Sequence, residues 1–157
     1  MDERKIHWPF EAQFKSVVGV DAHGKNNFAC HFEPVDPTAY VSETEKFSAT
    51  PEGNRDLVSW VILKGAEAVF LESGGVNFEL LLKALANVSL LVFVVPRQAK
   101  NLPGRPPHMS DSLWLAPLGC YGLLPPSFVS RPRGRRARPL PAAPQSEDGA
   151  RSRQERK

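Results

Sequence analysis

Two short runs limit what this chain can fold into. "AVFLE" (68–72) and "SLLVFVV" (89–95) are almost wholly apolar and rich in β-branched and aromatic residues. Runs of this length and composition read as strands buried on both faces, which need a layer of structure on each side. The first ends at Glu72 and the second is stopped by Pro96. Between them, "GGVNFELLLKALANV" reads as a helix. A helix joining two doubly buried strands is the signature of an α/β sheet with crossover connections.

The stretch ahead of these runs has a different grammar. "FKSVVGVDAHGKNNFACHFEPV" places Val17, Val18 and Val20 around a glycine, which suits a central strand ending at Asp21. "AHGKN" is a turn, "NFACHFEPV" a hairpin-paired second strand, and "EKFSA" a third. "TPEGNRDLVSWVILKG" then carries helix punctuation: Thr50 as N-cap, Pro51 in the first turn and Gly65 at the close. Leu57, Val58, Val61 and Ile62 are spaced to form its apolar face. After the last buried run, "RQAKNLPGRPPH" is a loop or short-helix region. "MSDSLWLA" starts a helix capped by Ser110, which Pro117 is expected to interrupt. The order β-β-β-α-β-α-β-α predicts an α/β fold, a mixed sheet with helices on its faces. No internal repeat is present. Trp60 and Trp114 fall on apolar helical faces and read as core.

Composition changes sharply near residue 130. Residues 131–157 hold nine Lys/Arg and three Asp/Glu, a net of +6, so the remaining +3 − 6 leaves residues 1–130 at −3. The pI near 9.0 therefore belongs to the tail. The tail has no aromatic residue and Leu140 as its only large aliphatic, so it is expected to be disordered. Eight of its nine basic residues are Arg. It reads either as a basic nucleic-acid-binding tail or as the product of a frameshift after Val129 in G+C-rich DNA. The expected division is an N-terminal extension over 1–14, one domain over 15–129, and the tail from 130. Cys30 and Cys120 stand in no paired motif and read as reduced, partly buried thiols. No signal peptide is expected, and the longest apolar run falls far short of the roughly 20 residues that span a bilayer. A cytoplasmic protein without a membrane partner is expected.

Three acidic residues share one kind of location. Asp21 and Glu72 end strands, and Asp111 opens a helix after the last strand. Strand ends in open α/β sheets are where sites assemble. Carboxylates converging there could hold Mg²⁺ or Mn²⁺, and two such ions roughly 4 Å apart could activate a water and stabilise the leaving oxygen of a phosphodiester. An aspartate after a strand also serves as turn former or cap, so spacing alone leaves both readings open. Arg97, Lys100 and Arg105 precede Asp111 and could contact phosphates, or simply line a solvated loop. His7, His23, His31 and His108 lack zinc spacing, Ser73 lacks a nucleophile elbow, and "ESGGVNF" lacks the Gly-Lys-Ser/Thr of a phosphate loop.

The blocks "VVGVDAHGKNNFA", "TPEGNRDLVSWV", "AVFLESGGVNFELLLKAL", "VVPRQAKNLPGR" and "MSDSLWLAPLGCYGLLPPSFV" together resemble, in order, the N-terminal DEDD domain of bacterial insertion-sequence transposases, including the Piv-type DNA invertases. The resemblance runs from about Val17 to Val129. It implies a RuvC-like, RNase H-like fold and a four-carboxylate metal site for DNA strand cleavage and rejoining in DNA transposition. Asp21 matches the first carboxylate, Glu72 the second and Asp111 the fourth, and these would be both catalytic and metal-binding. The family pattern looks like Gly-Arg-Lys-Thr-Asp-x-Ser-Asp, whereas this chain reads Gly104, Arg105, Pro106, Pro107, His108, Met109, Ser110, Asp111. His108 thus stands at the third carboxylate, one helical turn before Asp111, and brings no negative charge. A lost ligand and a defective recombinase are expected.

The partners the resemblance implies are the DNA of element ends and target, the element's structured guide RNA, and further copies of the transposase. The family's later helical segment and serine-bearing domain have no counterpart here, so a transposase fragment is expected. Two rivals remain: a non-catalytic module that binds nucleic acid or full-length transposase, and an independent Mn²⁺ nuclease in which His108 is a ligand.

Overall fold

Strand β1 (Val17–His23) is where the sheet changes character. On one side it pairs antiparallel with β2 (Asn26–Asp36), and on the other it runs parallel to β4 (Ala68–Glu72). Beyond β2 lies β3 (Ala39–Ser48), antiparallel; beyond β4 lies β5 (Leu91–Val95), parallel. A sixth strand, β6 (Phe128–Ser130), pairs antiparallel with β5 and completes the order β3-β2-β1-β4-β5-β6. Helix α1 (Pro51–Leu63) connects β3 to β4, α2 (Phe78–Ala86) connects β4 to β5, and α3 (Asp111–Cys120) follows a 3-10 turn at Arg97–Lys100. This computed structural model describes residues 11–74, 78–88, 90–124 and 128–130. The tail over 131–157 and most of the expected N-terminal extension lie outside them.

The two faces of the sheet carry separate cores. Val18, Val20, Val69, Leu71 and Val92 meet Leu57, Val58 and Val61 of α1 and Leu81 and Leu85 of α2. Val17, Phe32, Phe70, Phe93 and Val95 meet Trp114, Leu115 and Leu118 of α3. β4 is buried throughout and β5 nearly so, as doubly covered strands must be. On the α3 face, Phe70 and Phe93 stack at 4.9 Å between centroids, and Phe14 meets both edge-on at 6.0 Å. Gln13 N–H donates to the Cys120 carbonyl at 2.9 Å, so the chain is already tied to α3 just before β1.

The caps fall where the residue types put them. Thr50 Oγ1 accepts from Gly53 N–H at 3.0 Å with Pro51 in the first turn, and Gly65 takes a φ of 68° just past the end of α1. Ser110 Oγ accepts from Leu113 N–H at 3.3 Å at the head of α3.

Several expectations need correction. Ile62 is 54% exposed and does not belong to the buried face of α1, where Leu57, Val58 and Val61 suffice. Trp60 is only partly buried, packed against Phe47 at 5.7 Å, while Trp114 is core. β3 spans ten residues, well beyond the short strand expected, because hydrogen bonds to β2 sustain it where side-chain burial does not. Asp36 Oδ1 accepts from Thr38 N–H, Thr38 Oγ1 and Ala39 N–H at 2.7–3.0 Å and so turns the chain into it. Pro117 does not interrupt α3, which runs on to Cys120. An interior proline costs about 3 kcal/mol, and burial of Trp114, Leu115, Leu118 and Cys120 against the sheet offsets it. Among the described residues no helix is long and apolar enough to cross a membrane.

Candidate functional site

The site is built at one end of the parallel strands. Val20 of β1 is level with Leu71 of β4, and each is followed by an acid, Asp21 and Glu72. Val20 and Leu71 face α1 and α2. Strand alternation therefore puts Asp21 and Glu72 side by side on the α3 face. Both are buried. Glu72 is also level with Val95 at the end of β5, and Ser73 N–H donates to the Val95 carbonyl at 2.9 Å.

Gly19 decides how close α3 comes. A Cβ at Gly19 would lie 2.6 Å from the Ser112 carbonyl oxygen and 2.8 Å from Ala116 N, so the helix backbone rests directly on β1. Asp111 is the first residue of that helix, and Gly19 precedes Asp21 by two positions on the same face. Gly119 does the same work further along, since its Cβ would strike the Phe70 ring at 2.4 Å. Two glycines thus seat α3 on β1 and β4, with its N-terminus toward the acidic strand ends.

Two of the three basic residues expected to meet phosphate, Arg97 and Arg105, lie against acids of this site. Arg97 Nε is 3.5 Å from Glu72 Oε1, and its guanidinium lies over Gly74, whose φ is +119°. Arg105 Nη1 donates to Asp111 Oδ1 at 2.5 Å, while its Nε and Nη2 donate to the Met109 carbonyl at 2.9 and 2.6 Å. Lys100 belongs to the 3-10 turn, and its side chain is outside the described part of the structure.

His108 is not one helical turn before Asp111. The Met109 N–H donates to the Pro106 carbonyl at 3.1 Å, closing a turn over Pro106–Met109, and α3 starts after it. Pro107 takes a turn position that suits its fixed φ, and His108 sits exposed at the corner. Among the described residues no group of three His, Cys, Asp or Glu side chains is placed to hold a metal ion. The ligand set that the resemblance implies does not fit the side chains as they stand: Asp21 and Glu72 are neighbours, Asp111 is paired with Arg105, and His108 is exposed at its turn.

No family profile and no curated protein sequence matches the chain. Solved structures do. RuvC of Thermus thermophilus aligns with a TM-score of 0.50 at 15% identity, over 71% of this chain and 99% of that one. The same protein in complex with Holliday junction substrate gives 0.50 at 13% identity, over 71% and 98%. The fold is RuvC-like. A Fowlpox virus resolvase, in complex with Holliday junction DNA, aligns more loosely, with a TM-score of 0.43 at 17% identity over 59% of this chain and 65% of that one. At these identities the likeness establishes the RNase H-type mixed sheet with its helices.

Two features of the site were not read from the sequence. One is the pairing of Arg97 and Arg105 with the acids, which depends on the path of the loop between β5 and α3. The other is the seat at Gly19, for which a glycine between valines in a buried strand was the available signal.

Proposed function

We propose that this chain is a DNA-binding domain of insertion-sequence transposase type that engages DNA at the β1–β4–α3 end and does not cleave it. The supporting observation is the placement of Asp21 and Glu72 side by side at the strand ends of a RuvC-like fold, with the first turn of α3 seated over Gly19. Asp21, Glu72 and Asp111 are proposed as the descendants of a catalytic, metal-binding set. Arg97, Lys100 and Arg105 are proposed as phosphate contacts: the two guanidinium groups can exchange a carboxylate for a phosphate at similar geometry, and Lys100 would add a point charge. Branched DNA is the first substrate to try, since the aligned Thermus thermophilus RuvC is in complex with Holliday junction substrate. Structured RNA and full-length transposase are further partners carried by the sequence resemblance alone.

Fluorescence anisotropy of a labelled four-way junction tests this on the full chain. Binding in EDTA is expected, weakening as salt rises. Arg97→Ala should reduce the slope of log affinity against log salt by about 1, as loss of one phosphate contact does. Affinity and slope unchanged in Arg97→Ala would overturn the assignment of this face. Residues 131–157 carry their own +6, so the comparison is repeated in a chain ending at Ser130. A slope difference that survives there places the contact on the domain.

A further inference from the structure

We propose that Arg97 and Arg105 are the resident cations of this site, occupying with their guanidinium groups the electrostatic place a divalent ion would take. The inference rests on the reading of Asp21, Glu72 and Asp111 as one site. Glu72 is buried, and a buried carboxylate requires charged or hydrogen-bonding partners. Arg97 supplies one at 3.5 Å. Asp111 accepts a charge-assisted hydrogen bond from Arg105. The two guanidinium charges together equal that of one divalent ion.

The geometry makes these contacts more than chance surface pairs. Both arginines come from the single connection between β5 and α3, and each reaches back to a different acid. Arg97 leaves directly after β5, whose last residue is level with Glu72. Gly74 provides the platform beneath its guanidinium, at a φ that favours glycine. Arg105 is fixed at three nitrogens, two on the Met109 carbonyl and one on Asp111. Such a fork spans a carbonyl and a carboxylate in one plane, which an ammonium could not do. A divalent ion taking up Glu72 Oε1 or Asp111 Oδ1 would have to displace the guanidinium held there, because the same oxygen would face two cations at contact distance. His108, exposed at its turn, offers no replacement ligand there.

The chain should therefore exclude divalent ions in its resting state, and removing the arginine charges should open a cation site. Mn²⁺ binding to the full chain by isothermal titration calorimetry reads this directly. The parent is expected to show no saturable binding at millimolar ion. Arg97→Gln/Arg105→Gln keeps polar side chains but removes both charges, and should bind Mn²⁺ at least about tenfold more tightly than the parent. Adding Glu72→Gln to that variant should abolish the gain. Circular dichroism establishes that each variant is folded. If the double variant unfolds, Arg97→Gln alone decides the matter, since it leaves the Arg105 clamp intact and should still tighten Mn²⁺ binding.

Equal Mn²⁺ affinity in parent and folded variant, or no binding by any folded variant, overturns the proposal. Junction binding measured on the same samples separates this from the functional reading. A variant that gains Mn²⁺ supports the resident cations even where no DNA binds, and DNA binding without any gain rejects them alone.

Discussion

His31 is a residue whose charge state the fold constrains. It is buried in β2, with Ser16 Oγ 2.7 Å from its Nε2 and Glu33 Oε1 3.5 Å from the same atom. Burial lowers its pKa below the usual 6.5. Glu33 opposes that shift, Lys64 at the end of α1 adds to it, and Glu43 of β3 opposes it. The folded chain therefore takes up the proton less readily than the unfolded chain. As pH falls below 6.5, the unfolded state gains protons first and folding stability drops, until the lowered folded value is passed. The melting temperature should decline as pH falls below the ordinary histidine value, and His31→Gln should remove the histidine share of that decline. Parallel pH profiles for parent and variant would contradict this. The cysteines are residues of another kind. Both are free and buried, and burial pushes the Cys120 thiol up to about 11, which keeps it a protonated core group.

At the scale of elements, α3 is the piece on which the site depends. Its seat is a backbone-to-backbone contact at Gly19, so Gly19→Ala cannot be absorbed by rotating a side chain. The substitution should cost about 1–3 kcal/mol in urea unfolding and should weaken junction binding by moving the turn that carries Asp111. A stability within about 0.5 kcal/mol of the parent would mean the helix is not held there. Gly119→Ala meets the Phe70 ring in place of backbone and should be destabilising because that ring, stacked on Phe93 in the core, has little room to move.

What could be read from the sequence divides along the same line. β4, β5 and the caps of α1 and α3 are written in local chemistry: apolar runs, Thr-Pro, Ser-x-x. The full length of β3 is not, because its residues are exposed and its pairing comes from β2. The passage of α3 through Pro117 was misread, because the penalty is local while the compensation comes from Phe70 and the rest of the sheet. β6 was not anticipated at all. Asp21 ends only the stretch of β1 that pairs with β4, since β1 runs on to His23 against β2. Glu72 was legible as a strand end. The occupation of the site by Arg97 and Arg105 was not, since it depends on how the connection from Pro96 to Ser110 folds back.

The whole molecule joins a body of net −3 to a tail of +6, so domain and tail pull in opposite directions on a polyanion. Glu72 and Asp111 are paired with arginines of the same domain, and the RuvC-like frame brings Asp21, Glu72 and the head of α3 to one end. We propose that this frame serves binding without cutting. The most direct test incubates the full chain with end-labelled four-way junction and linear duplex in Mg²⁺ and in Mn²⁺, resolving bound species on native gels and products on denaturing gels. A shifted junction with no cleaved strand in either metal is the expected result. Strand cleavage that depends on metal and disappears in Asp21→Asn would contradict it.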